Sequence, residues 1–166
     1  MLLLYAVVIA CLFTFGYGAW RAAPWLPTRR IDADRFKKIA ALQPNERFYD
    51  LGCGDGRIVA AAARAGAHAT GFELALLPYL AAKLRTHGLA GAHIRYGDFW
   101  GRELADADVV YIFLTERIYP RLEKKLRQEL KPGARVICYA WPLPTWKPET
   151  TLPATRDHLP LFLYRR

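Results

Sequence analysis

The chain has 166 residues, enough for one domain of ordinary size, and 53% of them are apolar; its net charge is +9. This composition excludes a disordered tail and a collagen-like fibre, and it allows a packed core. The three cysteines, Cys11, Cys53 and Cys138, are too few for a disulfide framework, and no Cys/His cluster has the spacing of metal ligands. We therefore expect a reducing compartment and no bound metal.

Residues 1–20 contain no charged side chain. About 20 apolar residues in a helix span a hydrocarbon core of about 30 Å, so this stretch predicts a transmembrane helix. A cleaved signal peptide is the alternative, but the stretch lacks a basic start. Arg21, Arg29 and Arg30 follow it and no basic residue precedes it, so the positive-inside rule predicts a single-pass protein whose domain lies on the cytoplasmic side.

These features divide the chain into an anchor (1–22), a linker (23–30) and a domain (31–166). The linker contains Pro24 and Pro27, and the stretch from residue 21 to residue 30 reaches about 35 Å at most. The domain is thus expected close to the bilayer, with its positive surface drawn to anionic headgroups. A bacterial inner membrane is preferred over a mitochondrial one, because the N-terminus lacks the Arg- and Ser-rich character of a transit peptide.

From Ile31 onward, apolar patterns of helical and strand periodicity alternate. This alternation predicts an α/β fold with a Rossmann-like, doubly wound and mostly parallel sheet, and the tail after Thr150 has room for one antiparallel hairpin. The predicted elements are a helix capped by Asp32 that ends near Gln43, a strand at 47–51, a helix at 57–65, a strand at 67–73, a helix with Leu77, Ala81 and Leu84 on one face, strands at 92–96 and 107–114, a helix through Ile118, Leu122, Leu126 and Leu130, and a strand at 135–140.

Acidic residues follow three successive predicted strands. The first strand runs into a glycine-rich turn, DLGCGDG at 50–56; Glu73 ends the second strand, 21 positions beyond Gly52, and Gly97-Asp98-Phe99 follows the third. Ligands of open α/β sheets bind at the carboxyl ends of the strands, and glycines let the backbone approach a ligand closely. An acid at the distance of Glu73 suits ribose hydroxyls, whereas Asp98 and Phe99 offer a carboxylate and an aromatic face to adenine.

The glycine spacing, Gly-x-Gly-x-Gly after an acid, differs from the Gly-x-Gly-x-x-Gly of pyrophosphate sites and suits a cationic ligand. The run DLGCGDG resembles the first motif of class I S-adenosylmethionine-dependent methyltransferases, with Glu73 and Asp98 matching their ribose and adenine contacts. The resemblance implies S-adenosylmethionine as cofactor. The residues expected to bind it are Asp50, Gly52, Cys53, Gly54, Asp55, Gly56, Glu73, Leu74, Asp98 and Phe99.

A narrower resemblance rests on DLGCGDGRIV, GFEL, DVVYIFLT, LEKKLRQELKPGARVI and WPLPTWKP, and it covers about residues 30–148. These stretches are similar to the protein-lysine methyltransferases that include the mitochondrial enzymes for the ATP synthase c-subunit and the adenine nucleotide translocase. The mitochondrial members also carry a hydrophobic segment before the domain, so the resemblance implies a lysine-bearing membrane protein as substrate. The chain departs from the family after Glu73-Leu74, where Ala75-Leu76 replaces a frequent Asn-Pro.

Two residues are candidates for positioning the substrate. Thr115 follows the fourth strand, and Trp141 opens the segment WPLPTWKP at 141–148 after the fifth. A tryptophan face attracts a sulfonium or a methylated ammonium, although a proline-rich cap that packs its tryptophans on the sheet is equally open. No general base is predicted, because methyl transfer depends on alignment and on exclusion of water.

Other functions stay open. A lipid, quinone or other small-molecule methyltransferase would also use an anchor and a basic face, and an RNA methyltransferase would use the positive charge for phosphates. Nucleic acid is the weaker alternative, because the chain shows no RNA-binding module. Base amino-methylation is disfavoured, because Phe113-Leu114-Thr115-Glu116 replaces the Asn/Asp-Pro-Pro-Tyr of those enzymes. A non-catalytic S-adenosylmethionine-binding protein is the remaining alternative.

Overall fold

The computed structural model describes residues 30–166, together with Met1, Tyr5, Ile9 and Gly16. Apart from those four residues and Arg30, the predicted anchor at 1–22 and the predicted linker at 23–30 lie outside the described residues. In the part of the chain that the structure describes, no helix is both long enough and apolar enough to cross a bilayer.

Seven strands form one sheet in the order β3-β2-β1-β4-β5-β7-β6. β1 to β5 run parallel, β7 is antiparallel to β5, and β6 and β7 form an antiparallel hairpin. The prediction of a Rossmann-like, mostly parallel sheet with a C-terminal hairpin is confirmed. The strands are Arg47–Leu51 (β1), His68–Glu73 (β2), Ala92–Tyr96 (β3), Val109–Ile112 (β4), Arg135–Tyr139 (β5), Thr150–Leu152 (β6) and Leu161–Arg165 (β7).

Helices cover both faces of the sheet, because successive strand residues point to opposite sides and both sides are apolar. The helices are Arg30–Ala40 (α1), Arg57–Arg64 (α2), Leu76–Thr86 (α3) and Tyr119–Glu129 (α4), and single 3-10 turns lie at Phe99–Gly101 and Glu116–Ile118. One core joins α1, α2 and α3 to strand residues that include Phe48, Val109 and Ile137. The other joins α4 to Val110, Ile112 and Val136.

α1 runs antiparallel to the strands and is held at both ends of β5. From the middle of α1, Arg35 Nη1 donates to the carbonyl of Leu159, 2.8 Å away, in the β6–β7 loop. At its end, the carbonyl of Ala40 accepts a 2.6 Å hydrogen bond from Nη1 of Arg135, the first residue of β5. The chain therefore enters the domain at the carboxyl edge of the sheet, the edge formed by the carboxyl ends of the parallel strands.

The predicted role of Asp32 as a helix cap is wrong. The helix begins earlier, at Arg30, so Asp32 lies within the first turn, where its buried carboxylate faces His158 Nδ1 at 3.2 Å. The helix also ends at Ala40, before Gln43, because Ala41 adopts a left-handed backbone (φ 44°) and Arg135 occupies the carbonyls of both alanines.

The predicted apolar face of α3 exists, but it does not contribute to the core. Leu77, Ala81 and Leu84 do share a face, but that face is exposed to solvent. The side that packs inward carries Pro78, Ala82 and Thr86 instead. Small side chains let α3 lie close to its neighbours, whereas leucine periodicity predicts only that a helix has an apolar side.

Candidate active site

The loop Asp50–Gly56, which follows β1, is hydrogen-bonded to the end of β2. The amides of Gly52 and Cys53 both donate to the carbonyl of Phe72, at 3.0 and 2.9 Å. The amide of Gly54 donates to Oε2 of Glu73 at 2.8 Å. These contacts bring together the glycine-rich turn and the acidic residue that the sequence places 21 positions beyond Gly52.

Two glycines of this loop have no room for a side chain. Gly52 and Gly56 have φ angles of 87° and 73°, in the left-handed region that favours glycine. A Cβ on Gly52 would lie 2.7 Å from Cδ2 of Leu114, and a Cβ on Gly56 would lie 2.9 Å from Cβ of Ala82. The loop is thus compressed between the end of β4 and α3, which fixes the path of its backbone.

Glu73 organises the site through its carboxylate. Oε1 accepts hydrogen bonds from the amides of Leu74 and Ala75, and Oε2 accepts one from Gly54, each at 2.8 Å. Burial raises the pKa of Glu73, and the three amide donors oppose that rise because they favour the charged form. A carboxylate oxygen accepts about two hydrogen bonds, so Oε2 retains capacity for a hydroxyl donor.

Asp50 is a buried carboxylate with no compensating cation. It is 2% exposed, and no hydrogen bond or ion pair to its side chain occurs within residues 30–166. Burial raises the pKa of Asp50 well above its ordinary value, and the carboxylates of Glu73 and Asp55 add to the rise. The pKa of the neighbouring Cys53 thiol is also raised, mainly by burial. A positively charged group would relieve this electrostatic cost, so the site fits a cationic ligand.

Asp55 is the second carboxylate of the loop and is already paired. Its Oδ2 lies 3.1 Å from Nη2 of Arg57 and 2.8 Å from Nη2 of Arg85. Nε of Arg85 also donates to the carbonyl of Asp55 at 2.9 Å, so α3 holds the loop in place. Sequence reasoning missed Arg85, because a cation in the last turn of a helix is indistinguishable from a solvated one.

The end of β3 adjoins the same site. The amide of Gly97 donates to the carbonyl of Glu73 at 2.9 Å, which places Asp98 beside the end of β2. Oδ1 of Asp98 accepts a hydrogen bond from the amide of Trp100 at 3.0 Å. The ring of Phe99 is buried in the core and lies 4.9 Å from the Trp100 ring, so its contact with adenine stays a prediction.

The ends of β4 and β5 hold the two residues predicted to position a substrate. Thr115 is half-buried and precedes the 3-10 turn Glu116–Ile118. Trp141 follows β5 directly and is 43% exposed. Between these ends, the rings of Phe113 and Tyr139 meet edge to face, with 4.8 Å between their centroids. The structure brings both predicted residues to the carboxyl edge, next to an aromatic pair.

The two tryptophans of segment 141–148 have different surroundings. Trp146 packs 5.8 Å from the ring of Tyr164, and the guanidinium of Arg127 lies 4.7 Å above it. Thr145 donates to Glu123 of α4 through both its amide and its hydroxyl, at 3.0 and 2.6 Å. Trp146 thus follows the packing interpretation, and Trp141 keeps an exposed ring at the site.

A cluster at the end of β5 has no counterpart in the sequence analysis. The hydroxyl of Tyr139 hydrogen-bonds with Asp32. Burial raises the pKa of Tyr139 most, the hydrogen bond to Asp32 raises it further, and the result is about 12. His158 lies on the other side of the same carboxylate, 126 positions away in sequence. No local spacing could have found this contact. Among the residues the structure describes, no group of three or more His, Cys, Asp or Glu side chains could hold a metal ion.

Comparison with known proteins shows similarity to methyltransferases. Residues 50–150 match a family model described as the ANTKMT methyltransferase domain. The chain is 34% identical over 134 residues to a protein-lysine N-methyltransferase of Saccharolobus islandicus, covering 78% of this chain and 83% of that protein. It is 44% identical over 109 residues to the lysine N-methyltransferase of the ATP synthase c-subunit from Rattus norvegicus, covering 63% of this chain and 50% of the relative.

One solved structure has the same fold as this chain over most of the length of both proteins. It is described as an RNA methyltransferase from Salinibacter ruber in complex with S-adenosyl-L-homocysteine. The TM-score is 0.77 and the identity 26%, over 84% of this chain and 93% of that one. The chain spans most of the Saccharolobus protein but only half the length of the rat one.

Proposed function

Because the chain belongs to the ANTKMT methyltransferase domain family and is an S-adenosylmethionine-dependent methyltransferase, we propose that it methylates a lysine side chain of a membrane protein. The observation that carries the proposal is the buried and uncompensated Asp50 beside the glycine-rich loop, since it selects a cationic cofactor. Lysine as the acceptor is carried over from the relatives, which are named as lysine methyltransferases. The membrane location is inferred from this chain's own sequence.

The residues present fit the cofactor. Glu73 Oε2 can accept from a ribose hydroxyl, and the loop beside it is held in place by its hydrogen bonds to Phe72 and Glu73. Asp50 would face the positively charged end, and Asp98 lies where the family contacts adenine. When bound, S-adenosylmethionine supplies an activated methyl group that a neutral amine can accept. The protein must therefore hold the amine in line and keep water out.

The acceptor amine has to lose a proton before it can react. The aromatic pair of Phe113 and Tyr139, together with the exposed ring of Trp141, would form an apolar wall at the carboxyl edge. A lysine ammonium that enters such a wall loses hydration, so the pKa of the amine falls and the neutral form becomes available. Trp141 and Thr115 are proposed to position this side chain, and no protein base is required.

The point at which the chain enters the domain supports the proposed membrane placement. α1 begins at the carboxyl edge of the sheet, where Asp32 contacts Tyr139 and His158. A linker of at most about 35 Å that leads from the uncharged stretch 1–20 to this edge would hold the site near the bilayer. We therefore expect the acceptor lysine close to the membrane surface, on the cytoplasmic side of a bacterial inner membrane.

The test is transfer of label from methyl-labelled S-adenosylmethionine to membranes of a strain that lacks the protein. The full chain is incubated with these membranes, and the protein, lipid and RNA fractions are then separated. Label recovered as methyl-lysine from one small membrane protein would support the proposal. Label in the organic phase would favour a lipid or quinone acceptor instead. The Glu73→Gln variant is the control, because it keeps the surface of the domain while losing the ribose contact.

RNA methylation is the second candidate. The likeness to the Salinibacter ruber RNA methyltransferase and the net charge of +9 favour it. If RNA were the acceptor, label would enter the RNA fraction, and transfer would weaken steeply as salt is raised, because counterions released from phosphates drive such binding. A labelled membrane protein with modest salt dependence would exclude this candidate.

A further inference from the structure

The outer face of α3 is a continuous apolar stripe. Leu77, Leu80 and Leu84 lie three and four positions apart, on the side of the helix that faces away from the sheet. Their exposed fractions are 58%, 51% and 80%. Single exposed leucines are ordinary, but aligned leucines on one helix face indicate a surface that contacts something apolar.

A cationic groove adjoins this stripe at the end of α3. It has a volume of about 430 Å³, it lies between α3 and the edge strand β3, and its lining includes Lys83, His87, His93 and Arg95. None of the residues described as lining it is an Asp or Glu. Positive charge is therefore concentrated on one side of α3.

Two cations of this groove differ from the basic residues of the domain that are held in ion pairs. Within residues 30–166, neither Lys83 nor Arg95 forms an ion pair, and their charge is available to a ligand. By contrast, Arg85 pairs with Asp55, Lys131 with Asp108, and Arg135 with Glu46. An anionic partner would therefore meet uncompensated charge in this groove, in contrast to these paired sites.

We propose that α3 and this groove form a lipid-contact face that binds anionic phospholipid. The leucines would enter the boundary between headgroups and acyl chains, and Lys83 and Arg95 would contact phosphates. Helices that lie in a membrane interface combine an apolar face with flanking Lys and Arg in this way. An anionic membrane satisfies both the stripe and the groove at once, and the net charge of +9 complements it.

The position of the lipid-contact face is compatible with the proposed anchor, on which this inference builds. α3 follows the carboxyl end of β2, so the stripe starts at the same edge where α1 begins. β3 and β5 are four strand spacings apart, or about 19 Å. The stretch before α1 reaches about 35 Å at most, so one bilayer can contact both regions. The site would then open toward the membrane surface between them.

The test measures lipid contact in the full chain, reconstituted into phosphatidylcholine vesicles with or without phosphatidylglycerol. A photo-cross-linking amino acid is placed at Leu84, and at the exposed Gln128 of α4 as the control. We expect lipid adducts at Leu84 to exceed those at Gln128 by about fivefold or more in vesicles that contain phosphatidylglycerol. Equal yields of lipid adduct at the two positions would overturn the inference. Cross-links from Leu84 to protein only, with no lipid adduct, would overturn it as well.

A pair of charge variants separates the groove from overall charge. Lys83→Gln with Arg95→Gln should reduce the Leu84 lipid adduct by about fivefold or more. Lys38→Gln with Lys124→Gln removes the same charge from other exposed positions and should leave the adduct unchanged. Equal effects of the two variants would contradict a specific groove. Because the readout needs no methyl transfer, it distinguishes a failed lipid contact from a failed assignment of the acceptor.

Discussion

The carboxylates at the two edges of the sheet are neutralised in different ways. At the amino edge, where the parallel strands begin, they are paired with cations: Asp108 lies 2.6 Å from Lys131, and Glu46 is paired with Arg135. At the carboxyl edge, Asp50 has no such cation and Glu73 relies on backbone amides. The same residue type thus stabilises the fold at one edge and is left available for a ligand at the other.

The electrostatic consequence is opposite in sign at the two edges. Burial raises the pKa of Asp50, so keeping it charged in the folded protein costs free energy. Burial is the largest single influence on the pKa of Asp108 and raises it, but Lys131, the amide of Arg47 and Arg135 together outweigh burial and lower that pKa, so the charge of Asp108 favours folding. An uncompensated acid that a fold retains despite its cost indicates a binding function.

The largest expected effect is on cofactor affinity. Glu73→Gln replaces an acceptor that serves three amides and, in the proposed complex, a ribose hydroxyl, and hydrogen bonds to charged groups are worth about 1.5–3 kcal/mol each. We expect S-adenosylhomocysteine to bind about 100-fold more weakly by calorimetry. Glu46→Gln at the amino edge is the matched control and should leave the affinity unchanged. A variant of Glu73 that bound normally would remove the distinction between the edges.

Two glycines allow the carboxyl and amino edges to be compared by the free energy of unfolding. Gly56→Ala forces a left-handed backbone on a residue with a Cβ, which would also lie 2.9 Å from Cβ of Ala82. Strain and overpacking together should lower the free energy of unfolding by about 3 kcal/mol. Gly133→Ala, in the turn that precedes β5, has a similar φ of 84° but nothing within 4 Å. It should cost about 1–2 kcal/mol in the same denaturation experiment. Equal losses would show that the loop at the carboxyl edge is not compressed.

Asp50→Asn should make the unliganded protein more stable while weakening the cofactor. In the wild type, the unfolded carboxyl ionises near pH 4 and the folded one at a higher pH, so stability is lost as the pH rises between the two values. Asparagine does not ionise, so the variant should melt at a higher temperature than the wild type at pH 7, but not at pH 3. Its affinity for S-adenosylmethionine, a sulfonium cation, should fall more than its affinity for S-adenosylhomocysteine, whose sulfur is uncharged. A lower melting temperature at pH 7 would contradict the assignment.

The smallest effect is expected for the ion pair of Asp108 at the amino edge. The pair is partly exposed, and such pairs contribute about 0–1 kcal/mol. Because the folded pKa is lowered, this contribution is present above the ordinary pKa of about 4 and is lost as the pH falls through the folded value. Asp108→Asn should therefore lower the melting temperature slightly at pH 7 and leave cofactor affinity intact. Melting curves recorded at two salt concentrations measure the contribution of this ion pair, since salt screens the attraction between its charges.

The alternation of helices and strands and the acids at the strand ends were predictable because their signals are local. Asp50, Glu73 and Asp98 each follow a short apolar run, and parallel strands bring such ends to one edge. The exposure of the leucines on α3 was not predictable, because periodicity defines a face without saying what lies against it. The contact of Asp32 with His158 was out of reach for another reason, since its partners are 126 positions apart and joined only by the fold.

The candidate site was predicted unevenly for the same reason. The glycine-rich loop and Glu73 follow from spacing along one stretch of chain. The pairing of Asp55 with Arg85 and the separation of Trp146 from Trp141 depend on side chains that α3 and α4 supply. Sequence spacing can therefore identify the groups that face a ligand, whereas the groups that hold them in place become visible only in three dimensions.

The attachment of α1 at its middle and at its end has a mechanical consequence. A pull on the chain ahead of Arg30 acts along the helix axis, parallel to the strands beneath it. The contact of Arg35 with Leu159 and that of Arg135 with Ala40 then bear load together, in shear, and do not peel apart one after another. Tension from lateral drift of a tethered protein would thus be shared along the whole of α1 before it could distort the loop that follows β1.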